Sequence, residues 1–439
     1  MIVNRTYEIP SSAIAEPGGV LAAVARSLAG EPLRWFVSAA GPDHLRIEST
    51  ECDHGSLPSS HEIGSALAPS GLAVAVSLIP TGIGCAIGGY AGDAGPATAL
   101  LASAVDLLVT NPNAVNASNF IASDQRVIYT EGYMLDLFSA GKTVLRVPRA
   151  NRIGVIIERA PDEALAEVLN VINTVRAVHG VDIIDYEITA EPIGTRCVRH
   201  GSGAYVGQID CPEVLLTAGK RLLSAGATAL AVTTNVQDLP AEDYISHFVG
   251  AHPNPVGGAE AVVSHLLTRV LRVPAAHAPM LNFKESHLTG RVVDARSAGE
   301  FVSASGLACV LIGLRRAPQV AALPQCPISA NISVDDVIAV VAPATALGSV
   351  PVLSAAERRI PVIAVRDNTS ILDVTAAGLG LSGVIEVDSY LAAAGALLAL
   401  RSGISVESLF RPLATLGATM LTADADADAD AAAGSTIGL

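Results

Sequence analysis

Residues able to do chemistry gather in two stretches of this chain. Five of its 10 histidines, His247, His252, His265, His277 and His287, fall inside one short window with Glu260, Asn282, Lys284 and Glu285. Imidazole exchanges protons near neutral pH and also ligates metals. Only three of the 27 basic residues are lysines, Lys142, Lys220 and Lys284. A chain that otherwise uses arginine keeps lysine where a compact amine must be able to lose its proton, and Lys284 is the best placed. His277 stands in Pro-Ala-Ala-His-Ala-Pro, which reads as a rigid loop. Glu260 and His265 are five apart, so on a helix they diverge and do not chelate together. A lone imidazole is usually a buried structural group. A cluster favours proton transfer, with His277 and Lys284 as catalytic candidates beside His265 and Glu260.

The second stretch is Ile79 to Pro96, where five glycines lie between Gly82 and Gly92. An apolar, strand-like run enters it and an alanine-rich helical run leaves it. Glycine lets a ligand approach the backbone, and the first turn of a helix offers unpaired N–H groups. Thr81, Gly82, Gly84, Gly88 and Gly89 are therefore candidate ligand contacts. The spacing matches neither a Walker loop nor a dinucleotide fingerprint, so no nicotinamide or flavin cofactor is expected. Asp93, just ahead of Pro96, would compete with a phosphate for the same N–H groups and fits a hydroxyl, an amine or a metal better. A plain strand-to-helix turn is the simpler account of the same glycines.

Further candidates sit at other predicted strand ends. Asn111, Asn113 and Asn116 both donate and accept, and could read a polar ligand or build a turn and a helix cap. Glu131, between Tyr129 and Tyr133, is either a general acid or base or a solvated loop carboxylate. Thr195 to Gly203 is the most basic spot, and Arg196 and Arg199 could clamp an anion or face solvent. The imidazoles and carboxylates are compatible with a divalent metal, which no spacing specifies.

The elements that must position these residues read as α/β. At 439 residues the chain is too long for one core. Strands alternate with helices, which predicts mostly parallel sheets with helices on both faces, in two or three Rossmann-like units. The expected divisions are an N-terminal unit (1–150) with the glycine loop, a central unit (151–330) with the histidines and a C-terminal unit (331–420). The Ala-Asp repeat within 421–439 reads as a disordered tail. The excursion from Ile193 to Pro212 shows no periodicity.

Half the residues are hydrophobic, 4% are aromatic and the formal charge is −15. Acidity and the shortage of stacking rings argue against a nucleic-acid partner. Six scattered cysteines and the lack of an apolar leader fit a reducing cytoplasm. The uncharged run from Ile63 to Gly92 is broken by Pro69, Gly71 and Pro80, so a membrane span is not expected. A small-molecule substrate and assembly with copies of itself remain compatible with the chain.

Several of these segments together resemble a domain-of-unknown-function family found in cyanobacteria, plants and other bacteria. They are Pro80 to Asp93, Asn111 to Asn116, Glu131 to Asp136, Ser202 to Pro212, Gly258 to His265 with Ala276 to Pro279, and Cys309 to Leu314 with Ala317 to Gln319. The resemblance covers most of 70–390 and implies no reaction. It does imply that the glycine loop, the Asn-Pro-Asn turn and the Glu260–His265–His277 region belong to one site. A fainter likeness, on Tyr7 to Pro10 and Ser303 to Leu307, is to cyclic amide hydrolases, whose serine–lysine pairs and threefold repeat are not evident here. Taken together, the residues predict an enzyme acting on a small, polar, anionic metabolite by general acid–base chemistry, of hydrolase or lyase type. The rival expectation is a non-catalytic ligand-binding module.

Overall fold

The computed structural model describes residues 1–16, 18–28, 30–53, 69–111, 124–237, 241–280, 292–302, 306–320 and 323–413, with a few positions beyond. In chain order, β1 (Ile2–Pro10), α1 (Gly19–Ser27), β2 (Arg34–Ala40) and β3 (His44–Cys52) precede β4 (Val74–Ser77). After the glycine loop come α2 (Gly95–Ala104), β5 (Leu107–Thr110), β6 (Val127–Tyr129), α3 (Gly132–Ser139) and β7 (Leu145–Pro148). Then follow β8 (Ile153–Ile157), α4 (Asp162–His179), β9 (Ile183–Ile188), β10 (Thr195–Arg199) and β11 (Tyr205–Ile209). Next are α5 (Pro212–Ser224), β12 (Ala229–Thr234), β13 (Val236–Gln237), α6 (Ala241–Phe248), α7 (Gly257–Leu271) and β14 (Ala275–Pro279). The remainder is α8 (Ala298–Val302), α9 (Gly306–Leu314), β15 (Ile328–Ile332), β16 (Val337–Pro343), α10 (Val350–Glu357), β17 (Val362–Val365), β18 (Val384–Val387) and α11 (Tyr390–Arg401).

The fold is α/β, with two parallel sheets. One has six strands in the order β18-β17-β16-β4-β5-β6, the other four in the order β14-β12-β8-β9. Val74 and Val76 of β4 pack with Met134 and Phe138 of α3 and Val352 and Leu353 of α10. Ala75, between them, packs to the opposite side with Leu101 of α2 and Leu397 of α11. Both faces are covered, which is why the strand reads as a continuous apolar run rather than an alternating one. The smaller sheet is wound likewise, Val155 and Ala231 facing α4 and α9, and Ile156 and Val232 facing α5 and α7.

Sheet membership cuts across the expected units. β4 to β6 and β16 to β18 come from opposite ends of the sequence yet make one sheet, joined where Val74 to Ser77 run parallel to Val337 to Val341. A third sheet, β13-β10-β11-β1-β3-β2, joins the first strands of the chain to residues 195–209 and is largely antiparallel. The segment without periodicity is therefore a hairpin. Its inward positions, Thr195 and Cys197, are not the large apolar residues that reveal alternation, and its outward positions include Val198. The tail 421–439 lies outside the described residues apart from Thr436–Ile437. No described helix is long and apolar enough to cross a membrane.

Candidate functional site

The site begins where three pieces of backbone meet without side chains between them. A Cβ on Gly258 would stand 2.5 Å from Tyr205 O and from Val206 Cα, and one on Gly207 2.5 Å from Ala259 Cα. One on Gly257 would stand 2.8 Å from Gly82 N. Tyr205 N donates to Gly82 O at 3.1 Å. The start of α7, strand β11 and the glycine loop thus touch directly, which only glycine permits at these spacings. α7 starts at the carboxyl end of β12, and the glycine loop leaves the carboxyl end of β4. The carboxyl ends of β4 and β12, one from each parallel sheet, are therefore brought together at these contacts, and strand carboxyl ends are the usual place for ligands in such sheets.

Most glycines of the loop serve close packing. A Cβ on Gly88 would meet Ile79 Cγ2 at 1.9 Å, and one on Gly89 would meet Cys85 O at 2.5 Å. A Cβ on Gly84 would stand 3.2 Å from Pro253 Cγ, and one on Gly257 3.1 Å from Thr81 Cβ. Asn111 clamps the loop rather than reaching for a ligand: its Oδ1 accepts from Ile79 N at 2.7 Å and its Nδ2 donates to Ile79 O. Asn368 does the same for Ile87, accepting from its N at 2.8 Å and donating to its O at 2.9 Å. A loop tied at both ends is a rigid wall.

Above this wall lies a carboxylate–imidazole–phenol cluster. The Tyr90 and His247 rings stack with centroids 4.4 Å apart, and Tyr90 Oη donates to His247 O at 3.0 Å. Glu300 Oε2, on α8, accepts from Ala91 N at 3.0 Å and lies 3.5 Å from His247 Nε2. His247 Nδ1 contacts His252 O at 3.3 Å. A carbonyl only accepts, so Nδ1 carries a proton there, and Nε2 is the ring nitrogen that faces Glu300. Asp93 Oδ1 accepts from Tyr90 N at 3.3 Å. Burial pushes Asp93 up to about 7, against the backbone donors of Gly88 and Tyr90 and with help from the charge of Glu300. Arg296 stands over the Tyr90 ring at 5.3 Å and pairs with Asp294 at 2.9 Å. A carboxyl poised near 7 can give and take protons at neutral pH.

The other expected residues are placed differently. His277 is in strand β14, not in a loop, paired with Val232 and 1% exposed. Its Nε2 lies 2.8 Å from Thr234 Oγ1, and burial drives it down to about 3, so it is a neutral imidazole inside the sheet. The flanking prolines that suggested a loop are tolerated because β14 is an edge strand. His265 is also buried and driven down to about 3, chiefly by desolvation and then by Arg34. Its Nδ1 donates to Ala261 O at 2.7 Å, and its ring covers Gly132, where a Cβ would stand 2.3 Å from Cε1. Glu131 caps α3, accepting from Met134 N at 2.7 Å and Tyr133 N at 3.1 Å, while burial pushes it up to about 8. It is not a solvated loop residue. Glu260, half-buried in the first turn of α7, lies near Tyr129, Tyr244 and Cys197 and raises all three. Arg196 is ion-paired with Asp210 at 2.5 Å, which removes it from an anion clamp, and Arg199 is exposed at the end of β10. Asn113, Asn116 and Lys284 lie outside the described residues, as do His287 and Ser303 to Ser305 of the cyclic amide hydrolase likeness.

The glycine loop and the histidine-rich segment do meet, but through His247 and the start of α7. Glu300, Arg296 and Tyr244 were not singled out in the sequence. Glu300 follows no motif, and Tyr90 was hidden among the glycines. Among the described residues no three His, Cys, Asp or Glu side chains converge as a metal site.

Residues 74–410 match the model of a family described as "Protein of unknown function (DUF3326)". The chain belongs to this family. An "Uncharacterized lipoprotein syc1174_c" of a Synechococcus strain is 38% identical to it over 336 residues, 76% of this chain and 92% of that protein. No solved structure matches. The DUF3326 match begins at β4 and ends past α11, so it spans both parallel sheets and every residue of the Asp93–His247–Glu300 cluster. It leaves out β1 to β3.

Proposed function

We propose that this protein is an enzyme that acts on a small polar metabolite by general acid–base catalysis, through hydrolysis or elimination. The observation that carries this reading is Asp93, a carboxyl raised to about 7 in the loop after β4 and set near the Glu300–His247 pair. A raised carboxyl delivers a proton to a leaving group, and an imidazole–carboxylate pair removes one from water or from carbon. Tyr90 stacks on the His247 ring and donates to its backbone carbonyl. Tyr244 of α6 stands 6.2 Å from the His247 ring, near Glu260 of α7. The six cysteines, none of them in a disulfide, suit a reducing compartment.

The test is untargeted mass spectrometry of a polar-metabolite mixture incubated with wild-type protein and with Asp93→Asn. The reading expects at least one compound consumed by wild type and spared by the variant by about 100-fold. Consumption by neither protein, or equally by both, overturns it. A compound that raises the melting temperature without being consumed makes the protein a ligand-binding module instead.

A further inference from the structure

Away from the Asp93 cluster, β1, β3 and the β10–β11 turn bring a hydroxyl, an imidazole and a carboxylate into line. Thr6 Oγ1 lies 2.8 Å from His200 Nε2, and His200 Nδ1 lies 2.7 Å from Glu48 Oε1. Thr6 and Glu48 are directly opposed partners of the β1–β3 ladder, so their side chains share one face. His200 closes over both from the hairpin tip. Burial is graded along the row: the Glu48 side chain is 3% exposed, His200 19%, and Thr6 is open to solvent.

Both oxygens of Glu48 and Nδ1 of His200 are buried and make no hydrogen bond among the described residues, so the 2.7 Å between them is a close approach of two unsatisfied groups. A buried carboxylate without donors is costly, and the imidazole beside it is the group able to offset that cost. A carboxylate only accepts, so the tautomer that suits Glu48 carries its proton on Nδ1 and leaves Nε2 to accept from the Thr6 hydroxyl. This is the order of roles in a hydroxyl–imidazole–carboxylate triad, which is recognised by geometry and not by sequence position. Directly after His200 come Gly201, Ser202 and Gly203, and Gly201 has open space where a Cβ would stand.

We propose that Thr6, His200 and Glu48 form a second reactive centre, with Thr6 as an acyl-accepting nucleophile toward small esters. Thr6 Oγ1 bonds to the carbonyl carbon while its proton passes to His200 Nε2. The bond from carbon to the alcohol oxygen breaks, and the alcohol departs with that proton. Water then attacks the acyl-threonine carbon, gives a proton to His200, and releases the acid while Thr6 regains its hydrogen. Glu48 holds the imidazole and balances the charge it takes up; it is a positioning residue.

The probe is p-nitrophenyl acetate with the full chain, read by nitrophenolate release and by peptide mass spectrometry. Wild type should carry one acetyl group on Thr6 during turnover. Thr6→Ala should lose the adduct and His200→Ala should slow release by about 100-fold or more. Thr6→Ser, which keeps the hydroxyl, should restore both signals, so a loss caused by misfolding is told apart; circular dichroism checks each variant. Glu48→Gln should shift the pH profile of acetylation, which a purely structural role would leave in place. Absence of acetyl-Thr6 in folded wild type, or an undiminished rate in Thr6→Ala, overturns the proposal.

Discussion

At the scale of single residues, the same chemical type serves opposite ends depending on where the backbone puts it. Asp93 keeps partial access to solvent and sits near neutrality, whereas His277 is enclosed and uncharged. Carbon-13 NMR of the Asp93 carboxyl should show titration near pH 7, and Glu300→Gln should move it downward by removing a neighbouring negative charge. An unmoved midpoint would mean that the two carboxyls do not face each other in solution. His277→Ala should cost roughly 1–3 kcal/mol, because it leaves the Thr234 hydroxyl buried beside a void. Urea denaturation measures this, and a change within 0.5 kcal/mol, about the size of a surface substitution, would count against the buried contact.

At the scale of elements, glycine marks crossings in one place and nothing in another. Gly258→Ala pushes a methyl into Tyr205 O and Val206 Cα and should cost roughly 1–3 kcal/mol or more. Gly395→Ala, on the exposed side of α11 with open space around it, should instead stabilise by about 0.5–1 kcal/mol. Melting curves should move in opposite directions. This contrast also marks how far the sequence could be read. The helical face of α4 and the apolar run of β4 were plain, because burial on one stripe or on both faces writes itself into residue type. The β10–β11 hairpin was not, since Thr195 and Cys197 point inward and basic residues follow. Nor was the role of Asn111, because a side chain that clips its own loop has the same chemistry as one that waits for a ligand. The histidine window looked like one cluster, yet α6, α7 and β14 bury His247, His265 and His277 in three separate surroundings, and only His247 meets the glycine loop.

At the scale of the whole molecule, buried ionisable groups set how stability responds to pH. Glu131 and Asp136 are raised to about 8 and about 7 from 4.5 and 3.8, chiefly by burial. The folded state holds protons that the unfolded chain releases above about 4, so these groups make stability fall as pH rises toward 8. His265 and His277 are lowered to about 3 from 6.5. There the unfolded chain binds the extra protons, so stability falls as pH drops from 6.5 toward 3. The two effects oppose each other between about 4 and 6.5, and the urea midpoint should peak in that window. Glu131→Gln together with Asp136→Asn should flatten the alkaline side. An unchanged slope would show that these carboxyls ionise freely when folded. One consequence concerns biosynthesis. Because β4 lies between β5 and β16, a nascent chain still attached to the ribosome offers one whole flank of β4 with no partner until Val337 to Val341 have left the exit tunnel. Early translation products are therefore natural clients for chaperones, and stalling before that point should leave them sensitive to protease.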